Sequence, residues 1–197
     1  MSEVVTVLVQ DVPDVPVDLN VINVTSRNLT LFWTEPHDNN APISGYLVFY
    51  TNPSFIQGGT EVTLMTNGTI EELFIMNLHP GVTYNFTVLA FNEEGNSSRS
   101  DPFTIRTLEE APVSPPENFT VANTTCISIS LQWNPPLDEN VNGIIITYVI
   151  RYRIIEQLGV NPVSMDMLNI NVTGNITENT LLNLANYTVY ELSLIHI

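Results

Sequence analysis

Ten asparagines stand in the pattern Asn-x-Ser/Thr with x not proline, which is the acceptor pattern for N-linked glycosylation. The chain has 23 Asn and 33 Ser or Thr among 197 residues, so chance alone gives roughly four such patterns. The excess predicts a secreted glycoprotein, against the alternative that an Asn- and Thr-rich surface forms the pattern by accident. The acceptors are Asn23, Asn28, Asn67, Asn85, Asn96, Asn118, Asn123, Asn171, Asn175 and Asn186.

Residues that could do catalysis or bind metals are few. The three histidines, His37, His79 and His196, fall in a loop, at the corner before the sixth strand and at the terminus, and no motif pairs any of them with a nucleophile or a second metal ligand. The segment 37–42 is similar to a cadherin-type calcium linker, but Asp38 is its only carboxylate, whereas calcium takes six or more oxygens. The sequence also lacks Gly-x-Ser-x-Gly, His-Glu-x-x-His and phosphate-binding glycine loops. We therefore predict no catalytic residue, no metal site and no cofactor.

Cys126 is the single cysteine, which excludes an intrachain disulfide and a cysteine-based metal site. Its position in the alternating pattern of the following strand predicts that it faces outward. An exposed thiol could join two chains covalently, but a lone cysteine at a turn more often serves as a small residue, and we favour that interpretation.

The charge of the chain limits its partners. Five Lys and Arg against 21 Asp and Glu give a net charge of −16. Phosphate backbones and anionic lipid headgroups repel such a chain, so we predict no nucleic-acid partner and no direct membrane contact. The sequence shows neither a signal peptide nor a run of about 20 apolar residues. An extracellular location therefore requires a targeting signal upstream, and we expect the chain to be a fragment.

Several segments of the sequence recur about 100 residues later in the chain. Residues 16–21 recur as residues 116–121, and Leu29-x-Leu31-x-Trp33 recurs as Ile129-x-Leu131-x-Trp133, both at an offset of 100 residues. Tyr46-x-Val48-x-Tyr50 recurs as Tyr148-x-Ile150-x-Tyr152, and the six-residue step from Leu78 to Tyr84 recurs from Leu184 to Tyr190. An internal repeat of this length predicts two copies of one domain.

Each repeated segment alternates apolar and polar residues, which is typical of a half-buried strand. Leu29, Leu31 and Trp33 are predicted to face inward in the first copy, as are Ile127, Ile129, Leu131 and Trp133 in the second. Residues 4–10 also read as a strand, the last one of a preceding domain. Turn residues separate these segments at intervals of about ten, so we predict an all-β sandwich.

These motifs resemble the fibronectin type III family, a branch of the immunoglobulin-like sandwiches. Members typically begin with Pro-x-x-Leu-x-Val, carry Leu-x-Trp on the second strand and Tyr-x-Val-x-Tyr on the third, and show Leu-x-Pro-x-x-x-Tyr before the sixth. The resemblance implies a core that includes Trp33, Leu78, Tyr84, Trp133, Leu184 and Tyr190. It also implies that each corner tyrosine returns its hydroxyl to the backbone upstream.

The resemblance divides the chain into four segments. Residues 1–12 form the end of a preceding module or a linker, and residues 13–108 form the first module. Residues 109–116, with three prolines, form a semi-stiff linker, and residues 117–197 form a second module. This module has Asn186 where the family usually has Pro, and it lacks its last strand, which predicts lower stability and an exposed sheet edge.

The resemblance implies a non-catalytic role as spacer and protein-binding modules in an extracellular receptor, the ectodomain of a single-pass membrane protein. The expected partners are cell-surface or matrix proteins, including a second copy of the chain. Similar arrays occur in the Down syndrome cell adhesion molecule, sidekick and receptor-type tyrosine phosphatase families. The alternatives are the stalk of a signalling enzyme such as a phosphatase, or a cytokine-type receptor, although paired cysteines and Trp-Ser-x-Trp-Ser are absent.

Overall fold

A computed structural model describes residues 5–51, 61–68, 70–137, 141–159 and 166–197. The chain divides into two units, Met1–Leu108 and Glu109–Ile197. Each unit consists of two antiparallel sheets that enclose an apolar core. The prediction of two tandem all-β sandwiches is therefore confirmed.

Strands in the first unit follow the period-two segments of the sequence. They are β1 (Val17–Ile22), β2 (Leu29–Thr34), β3 (Gly45–Thr51), β4 (Val62–Asn67), β5 (Glu72–Ile75), β6 (Thr83–Phe91) and β7 (Phe103–Arg106). One sheet has the order β1-β2-β5 and the other the order β4-β3-β6-β7, with every pair antiparallel.

The core of the first unit lies between these two sheets. Leu29 and Leu31 of β2 are fully buried, and Trp33 is 2% exposed. They pack with Tyr46, Val48, Phe86 and Val88 of the facing sheet. Each large apolar side chain buried in this way contributes about 1.5–3 kcal/mol to the free energy of folding, so these inward-facing residues stabilise the packing of the two sheets.

The second unit repeats this arrangement with β8 (Glu117–Thr124), β9 (Ile129–Asn134), β10 (Thr147–Gln157), β11 (Leu168–Thr173), β12 (Glu178–Leu181) and β13 (Thr188–His196). Its sheets have the orders β12-β9-β8 and β11-β10-β13. Within the described residues, β13 pairs only with β10, so its other edge has no counterpart of β7.

A cleft of ≈ 450 Å³ opens into the second core between β10, the start of β11 and the segment that follows β12. Tyr152, Leu184 and Tyr190 are among the residues that line it. Tyr190 is half-buried, whereas its counterpart Tyr84 in the first unit is 3% exposed. The second core is consequently smaller and more accessible to water than the first.

Residues 5–10 lie in no strand among the described residues, and residue 4 lies outside them. That this segment closes a preceding module therefore stays a prediction. One prediction from the sequence is wrong. Ile127 does not face inward but is 51% exposed. It lies in the turn before β9, where its carbonyl accepts a hydrogen bond from the Leu184 amide at 3.0 Å, so the alternation of β9 does not extend to it.

Candidate interaction and glycosylation surfaces

The glycosylation acceptors lie at the surface of both units. Eight of them are exposed: Asn23, Asn67, Asn96, Asn118, Asn123, Asn171, Asn175 and Asn186. Asn28 and Asn85 are half-buried. Asn85 alternates with the buried Tyr84 and Phe86 and so faces outward from β6, where its Oδ1 accepts a hydrogen bond from Thr104 Oγ1 at 2.8 Å. None of the predicted acceptors is buried.

The tyrosines at the corner of each unit bond the backbone five residues upstream. The Tyr84 hydroxyl accepts a hydrogen bond from the His79 amide at 2.8 Å, and the Tyr190 hydroxyl accepts one from the Ala185 amide at the same distance. The pKa of Tyr84 is raised by burial, and the His79 amide partly offsets this shift. Both hydroxyls fix the loop that precedes the sixth strand of their unit.

The tryptophans of the two cores each pack on a tyrosine of the facing sheet. Trp33 and Tyr46 have ring centroids 5.1 Å apart, and Trp133 and Tyr148 have theirs 5.4 Å apart. Leu78 is 2% exposed, whereas its counterpart Leu184 is only partly buried. The predicted core residues of the first unit thus lie in one cluster. In the second unit Leu184 packs against the cluster that contains Trp133, whereas Tyr190 lies outside that cluster, with its ring centroid 6.3 Å from that of Tyr152.

The outer face of the β1-β2-β5 sheet is partly apolar. Ile22, Thr30 and Phe74 form one row across the three strands, and Phe32 lies in the next row beside Glu72. Ile22 is 47% and Phe74 55% exposed. None of the asparagines on these three strands is a glycosylation acceptor, because Asn20 is followed by Val and Ile. Asn23 and Asn28 are acceptors that adjoin the ends of β1 and β2, so any glycans there lie at one end of the face. An apolar sheet face without an acceptor in its strands can make contact with another protein.

The outer face of the β4-β3-β6-β7 sheet differs from it. Asn67 and Asn85 place two acceptors there. The guanidinium of Arg99 lies 3.6 Å from the centroid of the Phe49 ring and binds the Glu61 carboxylate at 2.6 and 3.0 Å. This ion pair lowers the pKa of Glu61, chiefly through the hydrogen bond. Phe49 is thereby reduced to 8% exposure, so less apolar surface remains on this face.

The segment that resembled a calcium linker binds the backbone of this chain. Asn40 Nδ2 donates to the Val9 carbonyl at 3.1 Å, and Asn39 Nδ2 donates to the Val12 carbonyl at 2.8 Å. In the second unit Asn142 Nδ2 donates to the Ala111 carbonyl at 3.2 Å. The donor Asn142 lies 102 residues after Asn40, and the acceptor Ala111 lies 102 residues after Val9. The same loop in each unit therefore fixes the chain segment that precedes the module.

Sequence reasoning missed this role of the asparagines, although the equivalent positions of Asn40 and Asn142 carried a signal. Both residues have a positive φ, 65° and 56°, which asparagine tolerates better than most residues. Asn92 acts with them in the first unit, because its Nδ2 donates to the carbonyls of Asp11 and Ala41 at 2.9 and 3.1 Å.

The remaining candidate chemistry is dispersed. Within the described part of the chain, no three or more His, Cys, Asp or Glu residues are grouped so that they could hold a metal ion. His37 contacts Asn39, and His196 contacts the Ser114 carbonyl at 2.8 Å. Cys126 is exposed and carries a free thiol. None of the helices in the described residues is long and apolar enough to cross a membrane.

Comparison with known proteins gives one consistent result. The sequence model of the fibronectin type III domain matches residues 14–106 and 114–196. The chain is 33% identical over 187 residues to the cell adhesion molecule DSCAM of Gallus gallus, and 34% identical over 182 residues to the cell adhesion molecule DSCAML1 of Mus musculus. These matches cover 95% and 92% of this chain, but only 9% of the length of each relative.

The fold has a similar counterpart among solved structures. The crystal structure of the FN1–FN3 domains of chicken CNTN1 superposes with a TM-score of 0.62 at 17% sequence identity. The superposition covers 94% of this chain and 66% of that one. At this identity the likeness concerns the fold alone.

Proposed function

The chain belongs to the fibronectin type III family, and we propose that its two modules are non-catalytic, protein-binding spacers in the extracellular part of a cell-adhesion receptor. The observation that carries this proposal is that none of the ten glycosylation acceptors is buried and eight of them are exposed. A glycan must lie outside a folded core, and the exposure of these asparagines supports their use as acceptors. The relatives named as cell adhesion molecules, which match more than nine-tenths of the chain, support the same role.

Protein partners fit the chemistry of the surface better than other ligands do. A net charge of −16 opposes nucleic acid and anionic lipid. The outer face of the β1-β2-β5 sheet offers Ile22, Phe32 and Phe74 with Glu72 and without an acceptor among its strand residues. We infer that this face binds a cell-surface or matrix protein whose complementary patch is apolar with basic residues at its rim.

The extracellular location is tested by the intact mass of the chain secreted from eukaryotic cells behind an added signal peptide. We expect several glycans that a glycosidase removes. A folded, secreted chain with the unmodified mass would contradict the proposal, and an intracellular scaffold would replace it.

The binding face is tested separately with beads that carry the secreted chain, applied to an intact cell layer. Phe74→Asp should reduce bead capture, because it places a charge in the apolar row, and brief protease treatment of the cells should abolish capture. Met65→Asp is the matched control, since Met65 is equally exposed (62%) but lies on the other sheet. Equal capture by both variants would contradict the assignment of the face.

A further inference from the structure

The edges of the four sheets differ in how they are protected from pairing with another chain. An edge strand exposes unpaired N–H and C=O groups, and proteins commonly place a charge or proline there to prevent association. Among the described residues, eight strands are edges, and six of them contain a charged residue. These six, with their charged residues, are β1 (Asp18), β5 (Glu72), β7 (Arg106), β8 (Glu117), β12 (Glu178) and β13 (Glu191).

The two remaining edges, β4 and β11, contain neither a charged residue nor a proline. Their sequences are VTLMTN and LNINVT. They occupy the same position in the two units, each beside the third strand, and show the same pattern of exposed, half-buried and buried residues. Six uncharged residues of this kind form a segment that readily pairs with an identical one.

Each of these two uncharged edges contains a glycosylation acceptor. Asn67 is the last residue of β4 and Asn171 the fourth residue of β11, and both are exposed. Both point to the outer face of their sheet, in the same outward row as Met65 and Asn169 respectively. Of the six charged edges, only β8 also contains acceptors, and its charge is confined to its first residue, Glu117.

We propose that glycans on Asn67 and Asn171 replace the missing charges and prevent two copies of this chain from pairing along β4 and β11. The proposal rests on the proposed extracellular function, because the glycan is added in the secretory pathway. There the asparagine Nδ2 loses a proton and bonds to the anomeric carbon of a lipid-linked oligosaccharide, while the bond from that carbon to the lipid diphosphate breaks. The bulky, hydrated sugar then occupies the space that a second strand needs.

The negative net charge of the chain does not by itself prevent two copies from pairing along these edges. At 0.1 M salt, charges that lie more than about 10 Å apart are largely screened. The paired strands would approach to about 5 Å, but β4 and β11 contain none of the acidic residues that give the chain its charge of −16. Association of the unprotected chain should therefore increase with salt concentration. The partner in this association is a second copy, because like edges with no charge pair in register.

The test compares substitutions at the same two positions in the secreted, full chain by sedimentation analysis. The pair Asn67→Gln and Asn171→Gln removes both glycans and adds no charge, so the association constant should rise about tenfold or more. The pair Asn67→Lys and Asn171→Lys removes the same glycans but places a charge on each edge, and should stay as monomeric as the parent. Asn23→Gln with Asn96→Gln removes two glycans that lie outside β4 and β11 and should also change nothing.

Several results would overturn the proposal. Glutamine variants that associate no more than the Asn23 and Asn96 control would show that the edges need no protection. Lysine variants that associate as much as the glutamine ones would show that the association does not run along β4 and β11. A parent chain with glycans elsewhere but none on Asn67 and Asn171 would refute this inference alone. A parent chain with no glycan at all would refute the proposed function as well. Unglycosylated chain made in bacteria, with and without the two lysines, repeats the comparison independently of secretion.

Discussion

The Tyr84 hydroxyl accepts a hydrogen bond from the backbone amide of His79 at 2.8 Å, five residues upstream. The ring of Tyr84 is 3% exposed and packs against Tyr50 and Phe86, with centroids 6.0 and 6.3 Å away. The hydroxyl thus connects a buried ring to the loop that enters β6. The corresponding bond from Ala185 to Tyr190 has the same length but lies at the exposed side of the second unit.

This difference in burial predicts that replacing the corner tyrosine by phenylalanine lowers the free energy of unfolding by different amounts in the two units. Tyr84→Phe leaves a partly buried amide without its acceptor and should lower the free energy of unfolding of the first unit by about 1–3 kcal/mol. Tyr190→Phe should cost less than about 1 kcal/mol, because water can reach the Ala185 amide. Hydrogen exchange of the full chain, followed on peptides from β6 and β13, measures the two units separately. Equal costs in both units would contradict the role of burial.

The side chain of Asn92 connects three segments of the first unit, and we predict that removing it lowers the stability of that unit. Its Nδ2 donates to Asp11 and Ala41, and its Oδ1 accepts from the amides of Glu94 and Gly95 at 2.9 and 3.1 Å. Asn92→Ala removes all four bonds from a side chain that is 8% exposed. We expect a loss of about 2–3 kcal/mol and faster exchange of the Asp11 and Asp14 amides.

The control for this prediction lies four residues away. Asn96 is an exposed acceptor on the same loop, so Asn96→Ala should change the stability of the unglycosylated chain by less than about 0.5 kcal/mol. If both variants are equally stable, the bonds of Asn92 do not hold the segment before β1 in place.

The strands and the core were predictable because they depend on patterns that the sequence shows directly. Leu29, Leu31 and Trp33 alternate with polar residues, and one face of a sandwich sheet must be buried. Ile127 continues the same pattern in the second unit yet is exposed, because it lies in a turn and β9 begins only at Ile129. Alternation identifies the face of a strand but does not locate its end.

The contacts of the loops and the edges of the sheets were not predictable from the same patterns. The equivalent positions of Asn40 and Asn142 mark a repeated feature, but the sequence of a polar loop does not show which distant carbonyl its side chain binds. The lack of charge in residues 62–67 and 168–173 was visible in the sequence. Its meaning depends on pairing order, since an uncharged strand is common in the centre of a sheet and unusual at an edge.

Arg99 covers the ring of Phe49. We predict that this packing contributes more to the stability of the first unit than the ion pair of Arg99 with Glu61 does. Arg99→Ala exposes the ring and removes a cation–π contact worth about 0.5–1 kcal/mol. Glu61→Gln keeps the arginine over the ring and removes only an exposed charge partner, so it should have the smaller effect. Urea unfolding at low and high salt measures both variants. A larger loss for Glu61→Gln, or a loss for Arg99→Ala that disappears in high salt, would show that the charge pair dominates.

The buried tyrosines predict a loss of stability in alkali that is concentrated in the first unit. Burial, followed by repulsion from Glu35 and Glu71, raises the pKa of Tyr46 to about 12, although the Trp33 indole partly opposes this shift. Burial also raises the pKa of Tyr50 and Tyr84 in the first unit and that of Tyr148 in the second. The unfolded chain releases these protons near pH 10 and the folded chain releases them later. The stability is therefore fully present below pH 10 and falls as the pH rises towards 12.

Tyr46→Phe removes the largest of these shifts and tests the explanation. Its hydroxyl is buried without a partner of standard hydrogen-bond geometry among the described residues. The substitution should therefore change the free energy of unfolding by less than about 1 kcal/mol at pH 8 and make the first unit more stable than the parent at pH 11. Tyr187→Phe, at a position 81% exposed, removes a hydroxyl already in water and should leave the pH profile unchanged. Urea unfolding of the three proteins between pH 8 and pH 11 decides the point, because parallel profiles for Tyr46→Phe and the parent would show that this buried hydroxyl does not cause the alkaline loss.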